Sequence, residues 1–172
     1  MQKSEALAIE YRNQHREIFD GVTLKYQGKI IQYFGDGTLS FFESAVHAVE
    51  CATEMQKRFL KESSIPVRIG IHMGDVVITE DDLIGDAVNL ASRVESLAVP
   101  GSVLVSDKVV DELTGHEKIL TRYMGRYHFK NDQKSREIFA IQDPELVLPK
   151  PAQLKGKIEK KATYSGPCSC IQ

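Results

Sequence analysis

The chain has 172 residues, enough for one domain with a substantial core. Hydrophobic residues make up 42% and charged residues 27% of it, and 22 Lys and Arg against 24 Asp and Glu leave a formal net charge of −2, which speaks against a protein that coats nucleic acid. No window approaches a membrane-spanning helix, the opening MQKSEALAIEYRNQ lacks the apolar centre of a signal peptide, and three cysteines form no disulfide framework, so the chain is expected to be cytoplasmic, or a cytoplasmic part of something longer.

Taken in chain order, Ser4 to Gln27 reads as a helix, with Leu7, Tyr11, Ile18 and Val22 close to one face and Gly28 as its stop. KIIQYF and TLSFF, joined by Gly35-Asp36-Gly37, read as a hairpin. Ser44 to Glu62 is a second helix, with Val46, Val49, Ala52, Met55 and Phe59 on one side. VRIGIHMG is a continuous apolar strand, and DVVITE, after a turn at Gly74, is a short strand that forms a second hairpin with it. GDAVNLASRVESL gives a third helix from Asp86 to Leu97, PGSVLVSD a turn and a strand, and KVVDEL a short helix. KILTRYMG, RYHF and REIFAIQ read as edge strands and hairpins. From Pro144 the pattern fades into a stretch rich in Lys, Pro, Gly and Ser. Residues 1–143 are therefore expected to form the domain and 144–172 a flexible basic tail. Hairpins exclude an all-parallel sheet, so the fold class is α+β, with helices against a mostly antiparallel sheet.

Two stretches carry chemistry. Gly35-Asp36-Gly37 supplies the positive φ angles of a tight turn and, in isolation, is explained as a hairpin tip. The stretch from Asp82 to Arg93, DLIGDAVNLASR, is sharper. Asn89 and Arg93 are four apart on a predicted helix and project from one face, with Val88, Ala91 and Val94 on the other. An amide beside a guanidinium suits a ribose and a phosphate, whose oxygens match the planar fork of Arg; helix spacing alone equally allows a solvated polar face. His47 and His72 are isolated and read as core or surface residues, and Cys51 as a small core residue. Cys168 and Cys170 make a poor metal site, and the ending SCIQ does not place a cysteine where a prenylation box requires one.

YFGDGTLSFF, VRIGIHMGDV, DDLIGDAVNLASRVESLAVPGSVLVSD and FKNDQKSREIFAI follow one another as they do in the class III adenylate/guanylate cyclase catalytic domain, which the chain resembles from about Gln14 to Ile141. The resemblance implies a ferredoxin-like nucleotidyl cyclase fold that pairs head to tail as a homodimer, with composite sites at the interface. It implies attack of the ribose 3′-hydroxyl of ATP, or less readily GTP, on the α-phosphate, giving the 3′,5′-cyclic nucleotide and pyrophosphate with Mg²⁺ or Mn²⁺. By position Asp36 matches a metal ligand, Arg93 the group that stabilises the transition state, Asn89 the one that orients the ribose, and Lys130 a phosphate-binding lysine. Asp82 and Gln32 match the base-reading pair. Asp82 is the residue of an adenine reader. Gln32 holds both a donor and an acceptor, and sits where adenylate cyclases usually have Lys and guanylate cyclases Glu; it is equally an outward residue of a hairpin strand.

One departure stands out. The family's other metal-binding Asp ends a strand ahead of the first helix, whereas this sequence opens on that helix, and Asp20 lies mid-helix and does not replace it. The first strand of the sheet and half the metal site are therefore expected to be missing, through truncation or degeneration. Two functions stay open: a purine nucleotidyl cyclase, and a non-catalytic cyclase-homology module that binds nucleotide or a partner cyclase domain and regulates it. A diguanylate cyclase would want a Gly-Gly-acidic-acidic-Phe hairpin, which YFGDGT does not provide.

Overall fold

Residues 2–35, 37–63, 65–80, 82–130, 132–154 and 169–171 are described by the computed structural model. The elements are α1 (Gln2–Lys25), β1 (Lys29–Phe34), β2 (Gly37–Phe41), α2 (Ala45–Glu62), β3 (Ile69–Met73), β4 (Val77–Ile78), β5 (Leu83–Ile84), α3 (Asp86–Leu97), β6 (Val103–Ser106), α4 (Asp107–Glu112), β7 (Leu120–His128), β8 (Ser135–Gln142), a single 3-10 turn (Pro151–Gln153) and β9 (Ser169–Ile171). The main sheet runs β7-β8-β6-β3-β9, and β1-β2 and β4-β5 form separate two-stranded ribbons among the described residues. Within the sheet β3 and β6 are parallel and the other pairs antiparallel. The expected α+β class, antiparallel-rich with flanking helices, is the observed one.

Alternation along the strands decides which helices cover which face. Ile69 and Ile71 of β3, Val103 and Val105 of β6 and Ile141 of β8 face one core, shared with Ile18, Phe19 and Val22 of α1, Val49, Met55 and Phe59 of α2, and Val109 of α4. Leu104, Ile138 and Ala140 point the other way, to Leu90, Val94 and Leu97 of α3 and to Met124 and Phe129. Buried polar groups lock the layers. Gln56 on α2 is fully buried, and its amide nitrogen donates to the carbonyls of Val67 and Ser102, at 2.8 and 2.9 Å, tying the approaches to β3 and β6. His72 on β3 is buried beside Ser106 of β6, Nδ1 to Oγ 2.9 Å, so the core reading of this histidine holds.

Local chemistry sets the helix ends. Gln27, at φ 61°, takes the left-handed position after α1. Its N–H donates to Leu24, and the Gly28 N–H to Thr23, at 3.1 and 2.9 Å, which closes a Schellman motif. The stop expected at Gly28 thus falls one residue earlier. Gly28 is required for a different reason: a Cβ there would meet the Phe42 ring at 2.4 Å. Ser44 caps α2 by accepting from the His47 N–H at 3.3 Å.

Two expectations about strands and one about the tail are corrected. Val77–Ile78 pairs forward with Leu83–Ile84, not back with β3, whose edges are taken by β6 and β9. The ribbon is closed by the Thr79 N–H and hydroxyl, which both donate to the Asp82 carbonyl. KILTRYMG and RYHF are one strand, β7, which crosses a bulge: Tyr123 faces Phe139 and Gly125 faces Ile138, leaving Met124 as the extra residue, with Gly125 at φ 129°. The stretch from Pro144 is packed as far as Leu154. Leu146 and Leu154 are buried, the Val147 N–H donates to Gly101, and Lys57 pairs with Asp143 at 2.7 Å. Residues 155–168 of the expected tail lie outside the described residues.

Among the described residues no strand precedes α1. The β1–β2 ribbon stands apart from β3, and a cavity of about 640 Å³ opens between them, walled by Phe19, Thr38, Cys51, Met55 and Ile69. Residues 169–171 lie antiparallel on the β3 edge, opposite Met73 to Ile71. Cys51, in the wall, is buried, and burial pushes its thiol up to about 12.

Gly70 is where β3 and α3 touch. A Cβ there would lie 2.2 Å from the Glu95 nitrogen and 2.5 Å from its Cα. Both are backbone atoms and neither can swing away. Gly70→Ala is expected to cost about 1–3 kcal/mol or more of stability, as overpacked cores do. Urea unfolding followed by circular dichroism measures it, and an unchanged midpoint would refute the backbone contact.

Candidate active site

The strongest candidate residues ride on α3, and the start of that helix is shaped by glycine. Gly85 has φ 153°, and a Cβ there would meet the Asp75 carbonyl at 2.8 Å. With that turn in place Ala87, Leu90, Ala91, Val94 and Leu97 are buried, while Asn89 faces solvent and Arg93 lies partly exposed on the same side. The amphipathic reading of this helix therefore holds.

The Arg93 guanidinium does not hang in solvent. Its Nη1 donates to the Lys130 carbonyl, in the loop after β7 and 37 residues away in sequence. Main chain from a distant part of the sequence is thereby brought to α3, with the Asn89 amide one helical turn from Arg93. The exposed side chains of Asn89 and Lys130 keep their donors unspent among the described residues. Asp82 is exposed just before β5, and one carboxylate oxygen already accepts from the Leu83 N–H at 2.8 Å.

The other candidates sit elsewhere. Gln32 is exposed on β1, opposite Leu39 across a register shift, and makes no side-chain hydrogen bond among the described residues; none joins it to Asp82 or Arg93. Asp36, between Gly35 and Gly37 in the sequence, lies outside the described residues. Asp20 on α1 accepts from the Tyr33 hydroxyl, and Arg16 stacks over the Tyr33 ring at 4.4 Å, so this carboxylate anchors the ribbon to the helix. The Tyr33 phenol is raised beyond its ordinary range by burial and by that bond.

Sequence reasoning assigned no role to Asp132 and Arg136. The Arg136 Nε donates to Asp132 Oδ2 at 2.6 Å and its Nη2 to Oδ1 at 3.2 Å, a two-pronged pair that closes the β7–β8 loop. Both side chains are mostly buried, at 9% and 13% exposed. Burial pushes the Asp132 carboxyl up, but the bonds from Arg136 and the Lys134 N–H outweigh it and hold the carboxyl below its ordinary value. The four-residue spacing was visible, but nothing in it marks a loop clamp.

A sequence model of the adenylate and guanylate cyclase catalytic domain matches residues 3–143. The chain belongs to this family. It is 32% identical over 156 residues to a Rhizobium meliloti protein named "Putative adenylate cyclase 3", covering 83% of this chain and 27% of that protein. The chain thus spans about a quarter of the length of that curated relative. Among solved structures, an adenylate/guanylate cyclase/hydrolase from Silicibacter pomeroyi superposes with a TM-score of 0.72 at 29% identity, over 83% of this chain and 88% of the other. Trypanosoma brucei adenylate cyclases in their monomeric state give a TM-score of 0.75 at 18% identity, over 90% and 86%, which is a likeness of fold.

The cyclase family implies a divalent metal. Among the described residues no three His, Cys, Asp or Glu side chains could together hold one. Among the described residues no helix is long and apolar enough to cross a membrane.

The loop clamp has a pH signature. A carboxyl held below its ordinary value stabilises the fold above that value, near pH 4, and loses the contribution as the pH falls through its folded pKa. Asp132→Asn is therefore expected to unfold at lower urea than the parent at pH 7, with the gap closing below about pH 4. A gap that stays constant from pH 7 to pH 3 would show that the ion pair is not its source.

Proposed function

We propose that this cyclase domain binds a metal–nucleotide complex and converts ATP, in preference to GTP, to the 3′,5′-cyclic nucleotide and pyrophosphate. The observation that carries the reading is the meeting of Arg93 with the Lys130 backbone, beside the uncommitted Asn89 amide. A planar guanidinium seated on the main chain of a lysine from a separate element suits a triphosphate, and an amide one turn away suits a ribose. Arg93 stabilises charge gathering on the α-phosphate, Asn89 orients the sugar so that its 3′-oxygen faces that phosphorus, and Lys130 holds the outer phosphates. Mg²⁺ or Mn²⁺ enters as part of the substrate complex, with the Asp36 carboxylate as its protein ligand.

Asp36 lies between β1 and β2 in the sequence and Arg93 and Asn89 belong to α3, a separation that suits a composite site shared by two head-to-tail copies. Arg93→Ala is expected to lower cyclic-nucleotide formation with Mn²⁺ by about two to three powers of ten, the scale for removing one transition-state donor. Mixing Arg93→Ala with Asp36→Ala chains should restore part of it, since one composite site in the mixed dimer is intact. Activity indifferent to Arg93 would overturn the mechanism, and failure to complement would overturn the shared site.

A second reading is a non-catalytic module that binds nucleotide or a partner cyclase domain and regulates it. Nucleotide binding without turnover in the same assay would decide for it. Base choice is tested separately. Asp82 should accept from the exocyclic amine of adenine while Gln32 donates to a ring nitrogen. A mispaired hydrogen bond costs about 1–3 kcal/mol, so ATP should outcompete GTP roughly five- to a hundred-fold. Equal competition would remove Asp82 from that role.

A further inference from the structure

The carbonyl that receives Arg93 belongs to a loop with a defined frame. Phe129 anchors one end, with its ring 1% exposed in the α3-side core. The Asp132 N–H donates to the Phe129 carbonyl at 3.0 Å, which turns the chain around Lys130. Arg136 sits on β8 directly across from Tyr127 of β7, so it is fixed by the ladder and not by the loop. Its two-pronged bond to Asp132, and the Lys134 N–H that donates to the same carboxylate at 3.1 Å, hold the far side of the turn. Four links therefore run in series: β8 through Arg136 to Asp132, Asp132 to the turn, the turn to the Lys130 carbonyl, and that carbonyl to Arg93 on α3.

We propose that Asp132 is a positioning residue. Paired with Arg136, it fixes the loop that seats Arg93 on the Lys130 carbonyl, and so sets how the guanidinium is presented to a triphosphate. This rests on the reading of Arg93 and Lys130 as phosphate-binding groups. The chemistry supports such a role. A guanidinium bound through one Nη–H to a carbonyl is held in a set plane, and its remaining N–H groups stay available for phosphate oxygens. Without the carboxylate, Arg136 loses its planar partner, the turn has no far anchor, and Arg93 must be ordered again on every binding event. A salt bridge serving only to close a hairpin would leave Arg93 untouched when weakened.

The test uses the full chain, labelled with ¹⁵N, at pH 7. The Arg93 side-chain Nε–Hε signal is assigned by its loss in Arg93→Lys. In Asp132→Asn that signal is expected to move toward the position of a free arginine, and affinity for inorganic tripolyphosphate to fall about tenfold, the scale of one charge-assisted contact. Asp132→Glu, which keeps the charge, should restore most of both, and Arg136→Lys, which keeps one prong, should fall between. Arg136→Lys also serves if Asp132→Asn unfolds. An Arg93 signal unmoved in both variants, or undiminished tripolyphosphate binding, overturns the proposal. If the parent chain binds no tripolyphosphate, the phosphate reading falls, while a moved Arg93 signal still upholds the link from Asp132 to Arg93.

Discussion

Everything at the candidate site depends on how closely α3 approaches β3. Side chains normally hold a helix away from the backbone of the sheet it covers. At Gly70 there is none, and the strand lies against the backbone of Val94 and Glu95. The residues on either side follow from that contact. Leu90, Val94 and Leu97 fill the core beneath the helix, Arg68 reaches over to pair with Glu95 at 2.8 Å, and Asn89 and Arg93 are left on the outer face. With backbone seated on backbone, the helix cannot be raised or rolled without breaking the sheet's own packing. The polar face that meets the β7–β8 loop is therefore as rigid as the core.

The second organising feature is the use of buried hydrogen bonds where strands of different origin must be aligned. Parallel strands such as β3 and β6 cannot be registered by a tight turn. Here Gln56 spans their approaches and His72 meets Ser106 near their far ends. Asp107, at the start of α4, accepts from the Glu137 N–H at 3.0 Å, and Glu137 pairs with Arg126 across the β7–β8 ladder at 2.7 Å. Apolar packing alone would tolerate a slip of these elements. Polar contacts with fixed donors and acceptors do not.

What was legible in the sequence follows the strength of each local signal. The three long helices and the β1–β2 ribbon showed because their apolar period extends over many residues or ends in glycine turns. The pairing of Val77–Ile78 did not, since two residues carry no period and the closing bonds go to a backbone carbonyl at Asp82. A single glycine made β7 look like two strands, because a bulge and a turn use the same residue. Residues 144–154 looked like tail, yet Leu146 and Leu154 fill gaps that only the folded domain creates. At the site, Asn89 and Arg93 could be paired by helical spacing, but the partner of Arg93 is a main-chain carbonyl, and no side-chain pattern encodes that. The Asp132–Arg136 clamp was hidden for a related reason: its spacing resembles a helical pair, but it straddles a loop and a strand.

Cys51 gives the cavity wall an unintended use. Its sulfur is out of reach of solvent, and with its pKa near 12 almost none of it is thiolate at neutral pH. An electrophile finds neither access nor an anion while α1, α2 and β3 stay closed around it. Once they part, the thiol reverts to ordinary reactivity. The rate at which this one residue becomes alkylated, read peptide by peptide, is then a clock for opening of that half of the core, already wired into the native chain.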